Sequence, residues 1–156
     1  EYSVTVITQN VDNLHERAGS TKVLHLHGEA TKVRPEDGEY DRSYSEKEVI
    51  DIGYDEVHLG DKAPNGSQLR PHIVFFGEAV PNINKAIDIV SAADIMLIVG
   101  TSLNVYPAAG LYRYAPNGIP IYLIDPEDVA IADPRITQIH QVATKGMETF
   151  RRMLGQ

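Results

Sequence analysis

Cysteine is missing from all 156 residues of this chain, which removes disulfides and thiolate metal ligands from consideration. Long apolar runs are missing too: the longest, Ile95 to Val99, falls far short of the roughly 20 residues a membrane-spanning helix needs. There is no basic face. Lys and Arg number 14 against 22 Asp and Glu, a formal charge of −8, and the densest basic pair is Arg151-Arg152. Direct nucleic-acid binding is disfavoured, because phosphate contacts need clustered cations. No signal-peptide pattern opens the chain, so the cytoplasm is the expected compartment, and Asn65-Gly66-Ser67 is a coincidental glycosylation pattern. Hydrophobic residues at 42% and charged ones at 23% are near globular averages, and the length suits one domain with a real core.

What is present concentrates between Thr8 and Glu29, TQNVDNLHERAGSTKVLHLHGE. Val4 to Ile7 reads as a buried strand. Gln9, Asn10, Asp12 and Asn13 follow it, four side chains able to orient a polar ligand, and open α/β sheets bind ligands beyond the carboxyl ends of their strands. A second strand, Val23 to His27, follows the turn at Ala18-Gly19-Ser20, and its alternation puts His25 and His27 on one face. One of this pair is the candidate general base, since histidine takes up a proton near neutral pH. Asn, Asp and Gly are also ordinary turn residues, and a strand histidine is often structural. The concentration in one span is what points to a site.

From Lys32 to Leu69 the composition turns polar and charged, including Glu36-Asp37-Gly38-Glu39. This reads as a small inserted module packed through Val49, Ile50, Ile52, Tyr54, Val57 and Leu59; its carboxylates and His58 have no tetrahedral metal spacing. Ile73 to Phe76 is the next expected strand, ended by Gly77-Glu78. Asn82 to Ala92 has helical spacing at Ile83, Ala86, Ile87 and Val90. Ile95 to Val99 reads as a strand buried on both faces and ends at Gly100-Thr101-Ser102. A short helix at Ala108 to Tyr114, a buried strand from Ile121 to Ile124 ending at Asp125, a weaker strand at Thr137 to Val142 and an amphipathic helix from Lys145 to Leu154 complete the chain. Strand, helix, strand is the unit of a parallel sheet. The expected class is α/β, the carboxyl-terminal part of a Rossmann-like doubly wound sheet over 1–32 and 70–156, with the module at 33–69. Gly100 lets a ligand approach the backbone, and an acidic residue such as Asp125 at a strand end suits a ribose hydroxyl.

TQNVDNLHERAG followed by HLHGE resembles the catalytic segment of the sirtuins, the NAD-dependent protein lysine deacylases. RPHIVFFGEAVP (Arg70 to Pro81), ADIMLIVGTSLNVYPAAG (Ala93 to Gly110), IYLID (Ile121 to Asp125) and the closing segment near Ala143 match the same family in the same order, most closely its bacterial forms. The resemblance implies NAD as cosubstrate and acylated lysine peptides or proteins as partners, with nicotinamide, O-acyl-ADP-ribose and free lysine as products. It makes His27, the histidine directly before Gly-Glu, the base that takes a proton from the ribose hydroxyl, with Gln9, Asn10 and Asp12 positioning ribose and carboxamide. Gly100, Thr101 and Ser102 would line the phosphate and ribose side, Asp125 the adenosine ribose and Ala143 the adenine.

The resemblance also places the peptide as an added strand between Phe76-Gly77-Glu78 and Asn104-Val105-Tyr106. His27, Ile73, Val74, Phe76 and Val105 would wall the acyl-lysine chain, though plain core packing explains Ile73 as well. The four zinc cysteines of most sirtuins are absent, so no zinc is expected. The family's GAGxS turn and GIPxFR-like loop, suited to holding a pyrophosphate, are not found either. The chain is therefore expected to lack the family's amino-terminal third, to be inactive by itself, and to tend towards self-association through an uncovered edge. Two other readings stand beside this one: a non-catalytic nucleotide- or peptide-binding module, and a metal-dependent hydrolase built on His15, His25 and His27, which lacks a suitably spaced third ligand.

Overall fold

The computed structural model describes residues 2–36, 48–101 and 103–155. Glu36 is thus described but the rest of the acidic run after it is not, and Ser102 also lies outside the described residues. The chain divides into two compact units, Glu1–Asn84 and Lys85–Gln156.

In the first unit, β1 (Val6–Thr8) pairs in parallel with β2 (Val23–His25), in the register Val6 to Val23 and Thr8 to His25. A single helical turn, α1 (Leu14–Arg17), lies between them in sequence. Both strands therefore present their carboxyl ends on the same side. The expected strand to His27 stops at His25, because Leu26 and His27 turn into β3 (Gly28–Pro35). Gly28 makes that turn possible. Its φ is +81°, and a Cβ there would collide with the main-chain carbonyl of His72. The reversal therefore needs glycine both for conformation and for space.

β3 is the middle strand of an antiparallel sheet, with the short β4 (Ile50–Asp51) on one side and β5 (Leu69–Ile73) on the other. Arg34 stands directly opposite Arg70. β5 ends at Ile73, so Phe75 and Phe76, expected in a strand, leave it. The Glu78 carboxylate captures the Phe75 N–H at 2.9 Å, and the Glu78 N–H closes a turn on the Phe75 carbonyl at 3.0 Å. A local polar ring thus replaces the strand ladder.

The expected apolar packing around residues 49–59 is corrected as well. Tyr54 is 80% exposed, Leu59 is 97% exposed, and Ile50 is exposed too. Polar bonds hold this stretch instead: Ile52 N–H donates to the Thr31 carbonyl, the Asn13 amide to the Tyr54 hydroxyl, and Gln68 bridges the Gly60 N–H and the His58 carbonyl. Short, Gly- and Asp-rich segments satisfy their backbone in this way when they have no second layer to pack on.

Helix α2 (Ile83–Ser91) buries Ala86 and Val90 at its expected spacing. In the second unit, β6 (Met96–Val99), β7 (Ile121–Ile124) and β8 (Ile136–Ile139) form a parallel sheet with β7 in the centre. A 3₁₀ helix, Ala108–Tyr114, lies between β6 and β7 in sequence, and α3 (Ala143–Met153) follows β8. Ile121, Leu123 and Ile124 of β7 are fully buried. β6 is less covered than the sequence suggests, with Met96 and Leu97 half-buried and Val99 exposed, as befits an edge strand. α3 packs Phe150 onto Ile124 and Ile139, and Phe150 meets the Tyr122 ring edge to face at 5.0 Å. Gly146 allows the approach, since a Cβ there would overlap the Ile124 side chain.

Candidate functional site

Four consecutive carbonyls at the end of β1 are each held by a donor from residues 25–30. Leu26 N–H reaches the Thr8 carbonyl at 2.9 Å, His27 Nδ1 the Gln9 carbonyl at 3.2 Å, His25 Nδ1 the Asn10 carbonyl at 2.9 Å, and Ala30 N–H the Val11 carbonyl at 2.7 Å. The Asn10 N–H is taken by the Thr8 hydroxyl at 3.1 Å. The loop after β1 is therefore fixed by its main chain, and its side chains are left for other work. Among the described residues the Gln9 and Asn10 carboxamides make no side-chain bond. Asp12 uses one oxygen to cap α1 through the Leu14 N–H at 3.0 Å.

His27 owes its tautomer to this arrangement. A carbonyl oxygen only accepts, so Nδ1 carries a proton, and in the neutral ring Nε2 is the nitrogen that presents the lone pair. The ring is half-buried, and Nε2 has no partner among the described residues. That is the form in which a histidine acts as a general base.

His25 is buried and bonded at both nitrogens, to the Asn10 carbonyl and to Glu16 Oε1 at 2.9 Å. Burial alone would push its pKa down; the Glu16 carboxylate, the Asn10 carbonyl and the charge of Glu29 outweigh it, and the pKa is raised. Glu16 is correspondingly lowered, chiefly by its bond to His25. The Asn82 amide, just before α2, donates to the His25 carbonyl at 2.8 Å. His25 and His27 thus do not share a strand face, because β2 ends at His25 and His27 lies in the turn before Gly28. Neither Glu16 nor Asn82 stood out in the sequence, where Asn82 looked like a helix start.

Below this loop, Val74 N–H bonds the His27 carbonyl at 2.9 Å, and Ile73 lies opposite Gly28. Ile73 and Val74 therefore neighbour His27 through the main chain. Phe76 is 97% exposed. Gly77 forms the tip of the turn with φ +91°. Glu78 is not simply a surface residue of that turn: its buried carboxylate takes Arg70 at 2.6 Å and Arg34 at 3.4 Å, and the Arg70 guanidinium lies over the Phe75 ring at 4.4 Å. Burial raises the Glu78 pKa, the two arginines and the Phe75 N–H more than reverse that, and it ends up lowered. The sequence carried no sign of this group, whose members are up to 44 residues apart. Among the described residues no three His, Asp or Glu side chains converge as metal ligands.

In the second unit the candidate residues sit where β6, β7 and β8 end. Gly100 has φ +61° with open space where a Cβ would lie. Thr101 is half-buried, and its hydroxyl takes the Leu103 N–H at 3.2 Å. Asp125 accepts the Glu127 N–H at 2.9 Å. Ala143 is the exposed first residue of α3, whose N-cap residue Val142 makes no side-chain cap. Asn104 and Val105 are exposed on the segment before the 3₁₀ helix.

The model of the Sir2 family matches residues 1–107. An NAD-dependent protein deacylase of Bacteroides thetaiotaomicron is 54% identical over 154 residues, covering 98% of this chain and 65% of the relative. One from Helicobacter pylori is 50% identical over 126 residues, covering 81% of this chain and 52% of the relative. Among solved structures, a Sir2 homolog in complex with NAD shares 32% identity with TM-score 0.77, over 96% of this chain and 57% of that one. Sir2 with a p53 peptide and NAD+ shares 30% identity with TM-score 0.70, over 98% and 64%. This chain spans between about half and two thirds of each of them. The parallel strands agree with the expected Rossmann-like α/β class, and the chain belongs to the Sir2 family.

Proposed function

We propose that this chain carries the general base, the acyl-lysine contacts and part of the nucleotide contacts of an NAD-dependent protein lysine deacylase. The reading rests above all on His27, whose Nδ1 proton is held by the Gln9 carbonyl so that Nε2 is left as the base. NAD supplies an ADP-ribosyl group that passes to the acyl oxygen as nicotinamide leaves. His27 Nε2 takes the proton of a ribose hydroxyl, which that chemistry requires, and such help is worth about a hundred- to ten-thousand-fold. The Gln9 and Asn10 carboxamides and the Asp12 carboxylate orient ribose and nicotinamide from a loop that does not have to reorganise.

The acyl-lysine peptide lies along Ile73, Val74, Phe76, Gly77 and Glu78, paired through its main chain. Gly100, Thr101, Ser102, Asp125 and Ala143 serve the nucleotide. Gly100 suits this, since its backbone can be approached without a side chain in the way. The test is a deacylation assay of the full-length protein with an acetyl-lysine peptide, with and without NAD. Nicotinamide and deacylated peptide are expected only with NAD and are lost in His27→Ala; a folded wild type that makes neither product refutes the reading.

A further inference from the structure

Both partners of the His25 ring are acceptors. Nδ1 lies 2.9 Å from the Asn10 carbonyl and Nε2 lies 2.9 Å from Glu16 Oε1. A neutral imidazole has one N–H, so either tautomer would turn a lone pair towards one of these oxygens. Only the imidazolium makes both bonds. With the side chain 6% exposed, water has little room to replace a lost one.

We propose that His25 is a positioning residue that works as an imidazolium, its doubly protonated ring tying the Asn10 carbonyl to the Glu16 carboxylate. The groups facing it support the charge. Glu16 comes from α1 and Glu29 from β3, where Glu29 also pairs with Lys32 at 2.6 Å. His15 acts on the same Glu16. Asn82, ahead of α2, contributes an uncharged amide to the main chain of His25. Adjacent carbonyls of one loop thus meet two differently bonded rings: His27 through Nδ1 alone, and His25 through Nδ1 with Glu16 at its other nitrogen.

The consequence is a pH-dependent loop. As pH rises through the raised pKa of His25, one N–H is lost. The bond to Asn10 or the bond to Glu16 must break, and Asn10 adjoins the carbonyl that orients His27. As far as catalysis is concerned this rests on the deacylase reading above, but the protonation state does not.

The test uses full-length protein labelled with 15N at histidine and in the backbone. Long-range 1H–15N spectra should show both His25 nitrogens protonated at pH 7, with a midpoint above the ordinary histidine value of about 6.5. The amide signal of the Asn10–Val11 peptide should follow the same midpoint. In Glu16→Gln the amide can donate to Nε2, so neutral His25 keeps both bonds; the ring should be neutral at pH 7 and the Asn10–Val11 signal should stop following it. In the deacylation assay the wild-type rate should fall as pH rises through that midpoint, and Glu16→Gln should flatten the fall. A merely structural pair would lower stability without changing the shape of the profile.

The proposal is overturned by a neutral His25 in the wild type at pH 7, by an Asn10–Val11 signal that ignores its titration, or by an unchanged alkaline fall in Glu16→Gln. If the wild type deacylates nothing, the functional reading fails, and the two spectroscopic readouts alone decide His25.

Discussion

His27 and Gln9 are joined by a 3.2 Å bond from the imidazole Nδ1 to the main-chain carbonyl, so the backbone, not another side chain, sets the tautomer of the proposed base. The usual orienting carboxylate is replaced by a peptide oxygen. That partner cannot be mutated away, which makes the ring itself the point to test.

His27→Ala should lower kcat of the full-length protein by about a hundred- to ten-thousand-fold, the usual worth of a positioned base. The side chain is half-buried and makes one hydrogen bond among the described residues, so thermal unfolding should shift little. A variant that unfolds at the wild-type temperature and keeps wild-type kcat would remove His27 from the mechanism.

Gly28→Ala and Gly19→Ala separate two costs of glycine replacement. Gly19 has φ +96° and open space around a Cβ, whereas Gly28 has φ +81° and the His72 carbonyl in the way. Gly19→Ala should cost roughly 1–2 kcal/mol for backbone strain alone. Gly28→Ala should cost clearly more, because β3 and β5 must separate where His27 is anchored. Urea midpoints measure both, and equal losses would show that the close approach is unimportant.

The Arg34–Arg70 pair sits face to face across β3 and β5, an arrangement that repels unless neutralised. Glu78 supplies the neutralising charge from the following turn. Glu78→Gln should therefore cost on the order of 3–5 kcal/mol at pH 7, as expected when one partner of a buried charged group is removed. Because the folded pKa of Glu78 is lowered, its contribution is complete above the ordinary carboxylate value of about 4.3 and is lost as pH falls through the folded one. The difference between wild type and Glu78→Gln in urea melts should shrink below about pH 4. A gap that stays constant into acid would rule out this origin.

Gly146→Ala sets helix propensity against packing. In an open helix the change gains about 1 kcal/mol; here the new methyl meets the Ile124 side chain, and overpacking of that kind costs about 1–3 kcal/mol. Net destabilisation is expected, and it should be smaller when Ile124→Ala is made first. A double-mutant cycle with no coupling would show that α3 simply moves outward.

Much of the fold was legible because its signals are local. The buried run of β7, the spacing of Ala86 and Val90 in α2 and the amphipathic face of α3 follow from periodicity alone. Strand ends were less legible. Val23 to His27 reads as one strand by alternation, but the turn at Gly28, whose φ is positive and whose missing Cβ clears the carbonyl of His72, 44 residues later, ends it at His25. Phe75 and Phe76 have strong strand character and still leave β5, since a carboxylate three residues on offers Phe75 a better partner than any strand does. The apolar residues Tyr54 and Leu59 are exposed, because hydrophobicity tells nothing about whether a packing surface is there to meet them.

By itself the sequence determined that Gln9, Asn10, Asp12 and the two histidines fall at strand carboxyl ends of an α/β fold, since strand runs and turn residues are read from neighbours along the chain. Only the tertiary structure decided that His27 keeps one ring nitrogen without a partner among the described residues while His25 is bonded at both. That difference depends on what each ring nitrogen meets: Gln9 and Asn10 lie some fifteen residues before the rings in the chain, and Glu16 reaches His25 only because parallel pairing of β1 and β2 brings the loop, α1 and the turn at Gly28 together.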